Sequence, residues 1–305
     1  MFHIFSIVYV MDSRYIACDD PSFPPKLLNP NIKPKVKGLW YKGELSEGLF
    51  EKTVAIIGSR NMSRYGVQVL AEIVPRFVEA GFTTISGFMY GIDTEVHRLT
   101  LENGGKTVAV LGYGIDHDID VENNNMYHKM IESGGLLMSE YPGKTGGRTW
   151  TFPQRNRIVV GLSDMIVVAE AGVKSGSLNS ASWALRQGKP IFAVPGSIFS
   201  MTSEGSNILI SEGKAISLTL ARLYQALEKD EDYLYSQKAR INSQKSRLSD
   251  PESTLVALLR LEGPQMLNEL SRSYGKPVGE VSAMLMSLLL RGEVSEERGM
   301  WGVAK

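Results

Sequence analysis

The chain has 305 residues, 43% of them hydrophobic, and its 33 basic and 33 acidic side chains give a formal net charge of zero. That length exceeds one ordinary domain, and the apolar content supports a sizeable core and excludes a disordered chain. Neutrality excludes a uniformly basic nucleic-acid binder, and a lone cysteine, Cys18, excludes an internal disulfide or a cysteine-built zinc site.

The start, MFHIFSIVYVMDS, is apolar but lacks a basic n-region and a small-residue cleavage site. It reads as a strand or buried segment and not as a signal peptide. No run approaches the roughly 20 apolar residues of a membrane span, so the expected location is the cytoplasm. Residues 1–50 carry prolines at 21, 24, 25, 30 and 34, which rule out a continuous helix. They read as an irregular lead-in packed on the core.

From there, short apolar runs alternate with amphipathic stretches. Strands are expected at Val54–Ile57, Thr83–Ser86, Thr107–Leu111, Leu136–Ser139, Met165–Glu170 and Ile191–Val194. Helices are expected at Arg64–Ala80, up to Asn103, and at Asn123–Glu132, Phe152–Leu162 and Ser177–Gln187. This alternation predicts an α/β fold over 51–224, an extended Rossmann-like parallel sheet with helices on both faces. Residues 225–250 are polar and read as a linker. In 251–305, three helices (Glu252–Leu261, one from Gln265, and Pro277–Leu290) precede a hairpin around Arg298-Gly299, the pattern of a small winged-helix domain.

In an open parallel sheet, ligands bind beyond the carboxyl ends of the strands. Here those ends read Gly58-Ser59-Arg60, then Ser86-Gly87 with Gly91 and Asp93, then Ser175-Gly176-Ser177 opening a helix. Small residues let backbone N–H groups face an anion, the helix N-terminus favours it, and arginine adds bidentate phosphate contacts. The stretch GKTGGRTWTFPQRNRIVVGLS adds Lys144, Arg148, Arg155 and Arg157 with no acidic residue between them. Cations in the first turns of a helix oppose its dipole. They answer either to a bound polyanion or to a buried carboxylate such as Asp93 or Glu170. Trp150 and Phe152 are candidates for base stacking or for the core.

Sharper enzymatic readings lack their residues. No GxGxxG, GxxxxGK[ST] or GxSxG is present. Asp116, Asp118 and Asp120 imitate a calcium loop without its glycine or its final glutamate. The four histidines have no metal-ligand spacing, and His97 reads as a hydrogen-bonded helix residue. No catalytic constellation, metal or cofactor is expected.

The blocks VAIIGSR, SGFMYGID with TEVH, MSEYP, FPQRNRIVVGLS, EAGVKSGSLNSASWAL and AVPG followed by EGSNILISEG stand in an order that resembles the DprA/Smf (DNA processing protein A) family, from about Phe23 to Ala215. The resemblance implies a protein that binds single-stranded DNA, dimerises, loads the RecA recombinase onto incoming DNA in natural transformation, and catalyses nothing. It implies a DNA pocket of Gly58, Ser59, Arg60, Ser86, Gly87, Gly91, Asp93, Lys144, Arg155, Asn156, Arg157, Ser175, Gly176 and Ser177. The chain departs from the family pattern at Met89 and Tyr90, at Val96, and in the acidic turn around Asp118 and Asp120.

Two other functions stay open on the residues alone. One is a nucleotide-processing enzyme of the phosphoribohydrolase type, although AGVKSGS replaces that loop's PGGxGT and no glutamate stands at the matching helix turn. The other is a duplex-binding regulator acting through the C-terminal unit. That unit holds six basic side chains (Arg260, Arg272, Lys276, Arg291, Arg298, Lys305) against seven acidic ones (Glu252, Glu262, Glu269, Glu280, Glu293, Glu296, Glu297), an unfavourable balance for duplex binding.

Overall fold

The computed structural model describes residues 12–119, 121–228, 250–297 and 299–304. The readings of the first eleven residues, of Asp120, of Arg298 and of most of the linker lie outside the described residues. Contacts divide the chain into two units, 1–238 and 239–305.

The first unit is built on a nine-stranded sheet in the order β1-β2-β6-β5-β4-β3-β7-β8-β9. In chain order, β1 (Arg14–Ala17) and β2 (Gly38–Gly43) precede β3 (Thr53–Gly58), α1 (Arg64–Glu79), β4 (Thr83–Ser86), α2 (Ile92–Glu102) and β5 (Thr107–Leu111). Then come α3 (Val121–Glu132), β6 (Leu136–Ser139), α4 (Thr151–Leu162), β7 (Met165–Glu170) and α5 (Gly176–Gln187). The unit's remaining elements are β8 (Ile191–Ala193), α6 (Glu204–Ser211), β9 (Ile216–Ser217) and α7 (Leu220–Glu228). Strands β3 to β9 run parallel, while β2 is antiparallel to both β1 and β6.

The lead-in is therefore less irregular than its prolines imply, because it contributes two strands. Trp40 stands opposite Ser139 across the β2–β6 ladder. Phe23, Leu27, Ile32, Val36 and Leu39 are buried in the core. The prolines at 21, 24, 25, 30 and 34 all fall between β1 and β2, so they break helix without removing a donor from either ladder. At the other end, α7 carries helix into the segment read as linker.

Alternation along the strands explains the two helical layers. In β3, Val54 and Ile56 join a core with Leu70, Ile73, Val74 and Phe77 of α1. Ala55 and Ile57 join the opposite core with Ile158, Val159 and Leu162 of α4 and Ala181 and Ala184 of α5. Successive side chains on a strand point to opposite faces, so a run of buried residues is a strand covered on both sides. Helix α1 starts where the Ser63 side chain accepts the Gly66 N–H at 3.1 Å, a serine cap that satisfies one of the first turn's free donors.

The strand order fixes where a ligand can sit. From β3 the chain winds outward through β4, β5 and β6 on one side, and from β7 it winds through β8 and β9 on the other. The reversal lies between β3 and β7, where the loops after the two strands part and leave a crevice.

The second unit contains α8 (Asp250–Glu262), β10 (Gln265–Met266), α9 (Leu267–Tyr274), α10 (Val278–Leu290), β11 (Val294–Glu297) and β12 (Met300–Val303). Leu255, Leu259, Leu270, Val281, Leu285, Leu288 and Trp301 form its core. Strand β12 lies between β10 and β11. The expected hairpin is present, with Gly299 at φ +83°, and β10 adds a strand that the sequence reading lacks.

Candidate nucleic-acid interface

A cleft of ≈ 1040 Å³ opens at the β3–β7 switch point. Glycine lets its loops approach one another. A side chain at Gly58 would meet Ile92 at 2.6 Å, and one at Gly91 would meet the carbonyl oxygens of Ser59 and Arg60 at 2.5 Å. Gly91 also holds φ at +79°, a left-handed value that glycine adopts freely. The Ile92 N–H donates to the Ser59 carbonyl at 3.2 Å, so the loop after β4 rests on the loop after β3. This leaves Arg60 exposed, its guanidinium 5.7 Å from the ring centre of Phe152.

The cleft floor joins two opposite charges. A side chain at Gly87 would lie 2.3 Å from Asp93 Oδ2 and 2.4 Å from Arg155 Nη1, so the missing Cβ is what admits both groups. The Ser86 hydroxyl lies 3.0 Å from Asp93 Oδ1 and 2.8 Å from the Ile56 carbonyl oxygen. Burial pushes the Asp93 carboxyl above the ordinary range, against Arg155, Ser86 and the Met89 N–H, which all favour the carboxylate. Burial likewise pulls the Arg155 guanidinium down, against the attraction of Asp93. Arg155 Nη1 donates to the Val110 carbonyl, while its buried Nε has no hydrogen-bond partner among the described residues.

On the other side, Ser175 caps α5, accepting the Ser177 N–H at 3.3 Å. Gly176 has open space where a Cβ would stand. Asn156 Nδ2 donates to Asn179 Oδ1 at 3.3 Å, joining the start of α4 to that of α5. The charged lining comprises Arg60, Arg148, Arg155 and Lys174 against Asp93 and Glu204. Among the described residues, Arg60, Arg148 and Lys174 enter no ion pair.

The structure brings Gly58, Ser59, Arg60, Gly87, Asp93, Arg155, Asn156, Ser175, Gly176 and Ser177 together in this lining. Ser86 and Gly91 support it from behind. Two expected residues stand elsewhere. Arg157 is 0% exposed. It pairs with Glu140 at 2.5 Å and donates to the Pro34 and Gln154 carbonyls at 2.9 and 3.0 Å, so its charge is consumed inside the fold. Lys144 is exposed and pairs with Asp118 at 3.0 Å, outside the cleft lining. Its hydrogen bond and charge hold the Asp118 carboxyl below the usual range. Trp150, half exposed against Tyr141, is also outside, whereas Phe152 lines the cleft.

The sequence reading passes over Arg148 as a site residue and over Lys174, Asn61, Thr202 and Glu204. For Lys174 a signal existed, since it is a cation set between Gly172 and Ser175 just ahead of a helix. Glu170, just ahead of the AGVKSGS loop, is a brace. It is buried, accepts the Ser63 N–H at 3.0 Å, and accepts the Thr202 hydroxyl at 2.6 Å. His97 is buried too, with Nε2 2.7 Å from the Gly87 carbonyl oxygen and Nδ1 2.7 Å from the Thr107 hydroxyl. Burial lowers its pKa to about 4, so the ring is neutral, with the proton on Nε2. Among the described residues no cluster of side chains suits a metal ion, and no helix is long and apolar enough to cross a membrane.

Residues 14–228 match the family described as DNA recombination-mediator protein A. Protein Smf of Escherichia coli (strain K12) is 32% identical over 291 residues, covering 93% of this chain and 75% of that protein. DNA processing protein DprA of Streptococcus pneumoniae is 39% identical over 175 residues, covering 57% of this chain and 61% of that protein. The X-ray structure of the Streptococcus pneumoniae protein superposes with a TM-score of 0.63 at 34% identity, over 72% of this chain and 74% of that one.

Proposed function

Because the chain belongs to the DNA recombination-mediator protein A family, we propose that the switch-point cleft binds the phosphates of single-stranded DNA. A DNA-processing, recombination-mediating role comes with the family; the strand contacts are our reading. The observation that carries it is the set of Arg60, Arg148 and Lys174 around one crevice, without ion-pair partners among the described residues. Unpaired cations beside a helix N-terminus form a local anion site in a chain of zero net charge. The aromatic ring of Phe152 beside Arg60 offers a face that any base can stack on. The ligands we assign are Gly58, Ser59, Arg60, Gly87, Arg148, Arg155, Asn156, Lys174, Ser175, Gly176 and Ser177.

In this reading the protein holds incoming single strands in the cytoplasm as a homodimer and hands them to RecA, with no chemistry of its own. Glu170, spent on Ser63 and Thr202, supports the non-enzymatic side. The second unit, read as a winged helix, serves protein contact or weak DNA contact, in keeping with its acidic balance.

The test is a mobility shift on single and double strands at several salt concentrations. Preference for the single strand is expected, with Arg60→Ala weakening all sequences alike and reducing the salt slope by about one unit. Absence of single-strand affinity at low salt, or release of free base from a nucleotide panel, would overturn the reading.

A further inference from the structure

The cleft has a second rim that phosphate binding leaves unexplained. Between β8 and α6 the chain forms a loop, residues 194–203, whose base is closed. The Gly196 N–H donates to Asn207 Oδ1, and Asn207 Nδ2 donates to the Gly196 carbonyl, both at 3.1 Å. The Tyr65 hydroxyl donates to the Pro195 carbonyl at 2.8 Å. A side chain at Gly196 would meet Ser203 Oγ at 2.1 Å, so only glycine permits this closure. Across the tip, the Ser200 N–H donates to the Ser197 carbonyl at 3.0 Å and the Phe199 N–H to Ser197 Oγ at 3.2 Å.

The polar groups of this loop turn onto one another; Val194 at its base is buried in the core, and the apolar side chains toward its tip turn out. Ile198 is 85% exposed, Phe199 92% and Met201 82%. Val173, from the loop after β7, is half exposed beside them, where Gly172 approaches the Met201 carbonyl. Keeping such side chains in water forgoes the burial that stabilises a fold, and a contiguous exposed apolar patch marks a contact surface. Met201 and Val173 belong to the cleft lining that also holds Arg60 and Lys174.

One ligand matches an apolar rim joined to a cationic crevice. A single strand presents phosphates along one edge and unpaired base faces along the other, whereas a duplex hides its faces in the stack. We propose that the 194–203 loop is a stacking platform, with Phe199 at its tip and Ile198 and Met201 beside it, for the bases of a strand whose phosphates lie in the cleft. This rests on the single-strand reading above.

The experiment uses the full chain and two labelled oligonucleotides of equal length, one of thymidines and one of abasic residues, titrated by fluorescence anisotropy over a salt series. Wild type should favour the strand with bases. Phe199→Ala should lose roughly 5- to 150-fold on that strand, by a similar factor at every salt concentration, because no phosphate contact is removed. Its affinity for the abasic strand should stay at the wild-type value. Arg60→Ala should instead weaken both strands and flatten the salt slope.

If wild type binds but Phe199→Ala binds both strands as wild type does, the platform is wrong and the phosphate site survives. If wild type binds neither strand, both readings fall. If Phe199→Ala changes the sedimentation coefficient from dimer to monomer while base preference is kept, the rim is a contact between copies and the proposal is overturned.

Discussion

On one side of α4, Arg155 reaches the cleft floor beside Asp93, whereas on the other Arg157 is sealed against Glu140 and Pro34. Two residues apart on a helix means about 200° around its axis, so FPQRNR divides its two arginines between the β3–β7 cleft and an internal ion pair. Both are buried, at 4% and 0% exposure, and burial alone does not separate them. Their partners do. Every nitrogen of Arg157 has an acceptor inside the fold, whereas Arg155 keeps Nε free among the described residues. A charge with a complete internal set holds structure together, whereas Arg155 borders the cleft with one buried donor left unsatisfied among the described residues.

The strongest break of that comparison is Arg157→Ala. Removing one partner of a buried pair costs about 3–5 kcal/mol because the other charge is left unpaired. Urea unfolding should show that loss, while the folded fraction should keep the wild-type salt slope for single-strand binding. A changed slope with unchanged stability would place Arg157 in the binding site.

The next effect belongs to His97, behind the cleft floor. With the folded pKa lowered to about 4 and an unfolded value near 6.5, the unfolded state takes up the proton first as pH falls. The stability from the neutral, buried ring is therefore complete above about pH 6.5, and roughly 3 kcal/mol of it is lost on going down to pH 4. Unfolding midpoints across pH 7 to 4 check this, and His97→Gln should flatten that part of the profile. An unchanged profile in the variant would assign the acid loss elsewhere.

The smallest effect sharpens the contrast between cleft cations and Lys144. Its pair with Asp118 is exposed at both ends, so water and salt screen it and it contributes little. Asp118→Asn should raise single-strand affinity by no more than about fivefold, a gain that salt removes. A gain much larger than this would show that the acidic turn suppresses binding.

Much of this was legible in the chain itself. The bounds of β4 to β7 coincide with those expected, because Thr107–Leu111 and Met165–Glu170 are buried on both faces and read as unbroken apolar runs. The glycines and serines of the cleft were legible because close backbone approach restricts residue type. Strands β1 and β2 were not. Proline-rich sequence separates the two, and the second partner of β2, Leu136–Ser139, lies about a hundred residues away. Nor could spacing say which arginine of α4 faces inward. That depends on Glu140 arriving from β6 and Pro34 from the lead-in. For the same reason, a run without acidic residues does not reveal that the fold sets Asp118 beside Lys144.

The central claim is that unpaired cations at the β3–β7 crevice bind the backbone of a single strand. Its most direct test is the logarithmic dependence of single-strand affinity on salt for wild type and Arg60→Ala. The account predicts a steep negative slope for wild type, shallower by about one unit in the variant and independent of base sequence. Identical slopes for the two proteins would contradict it.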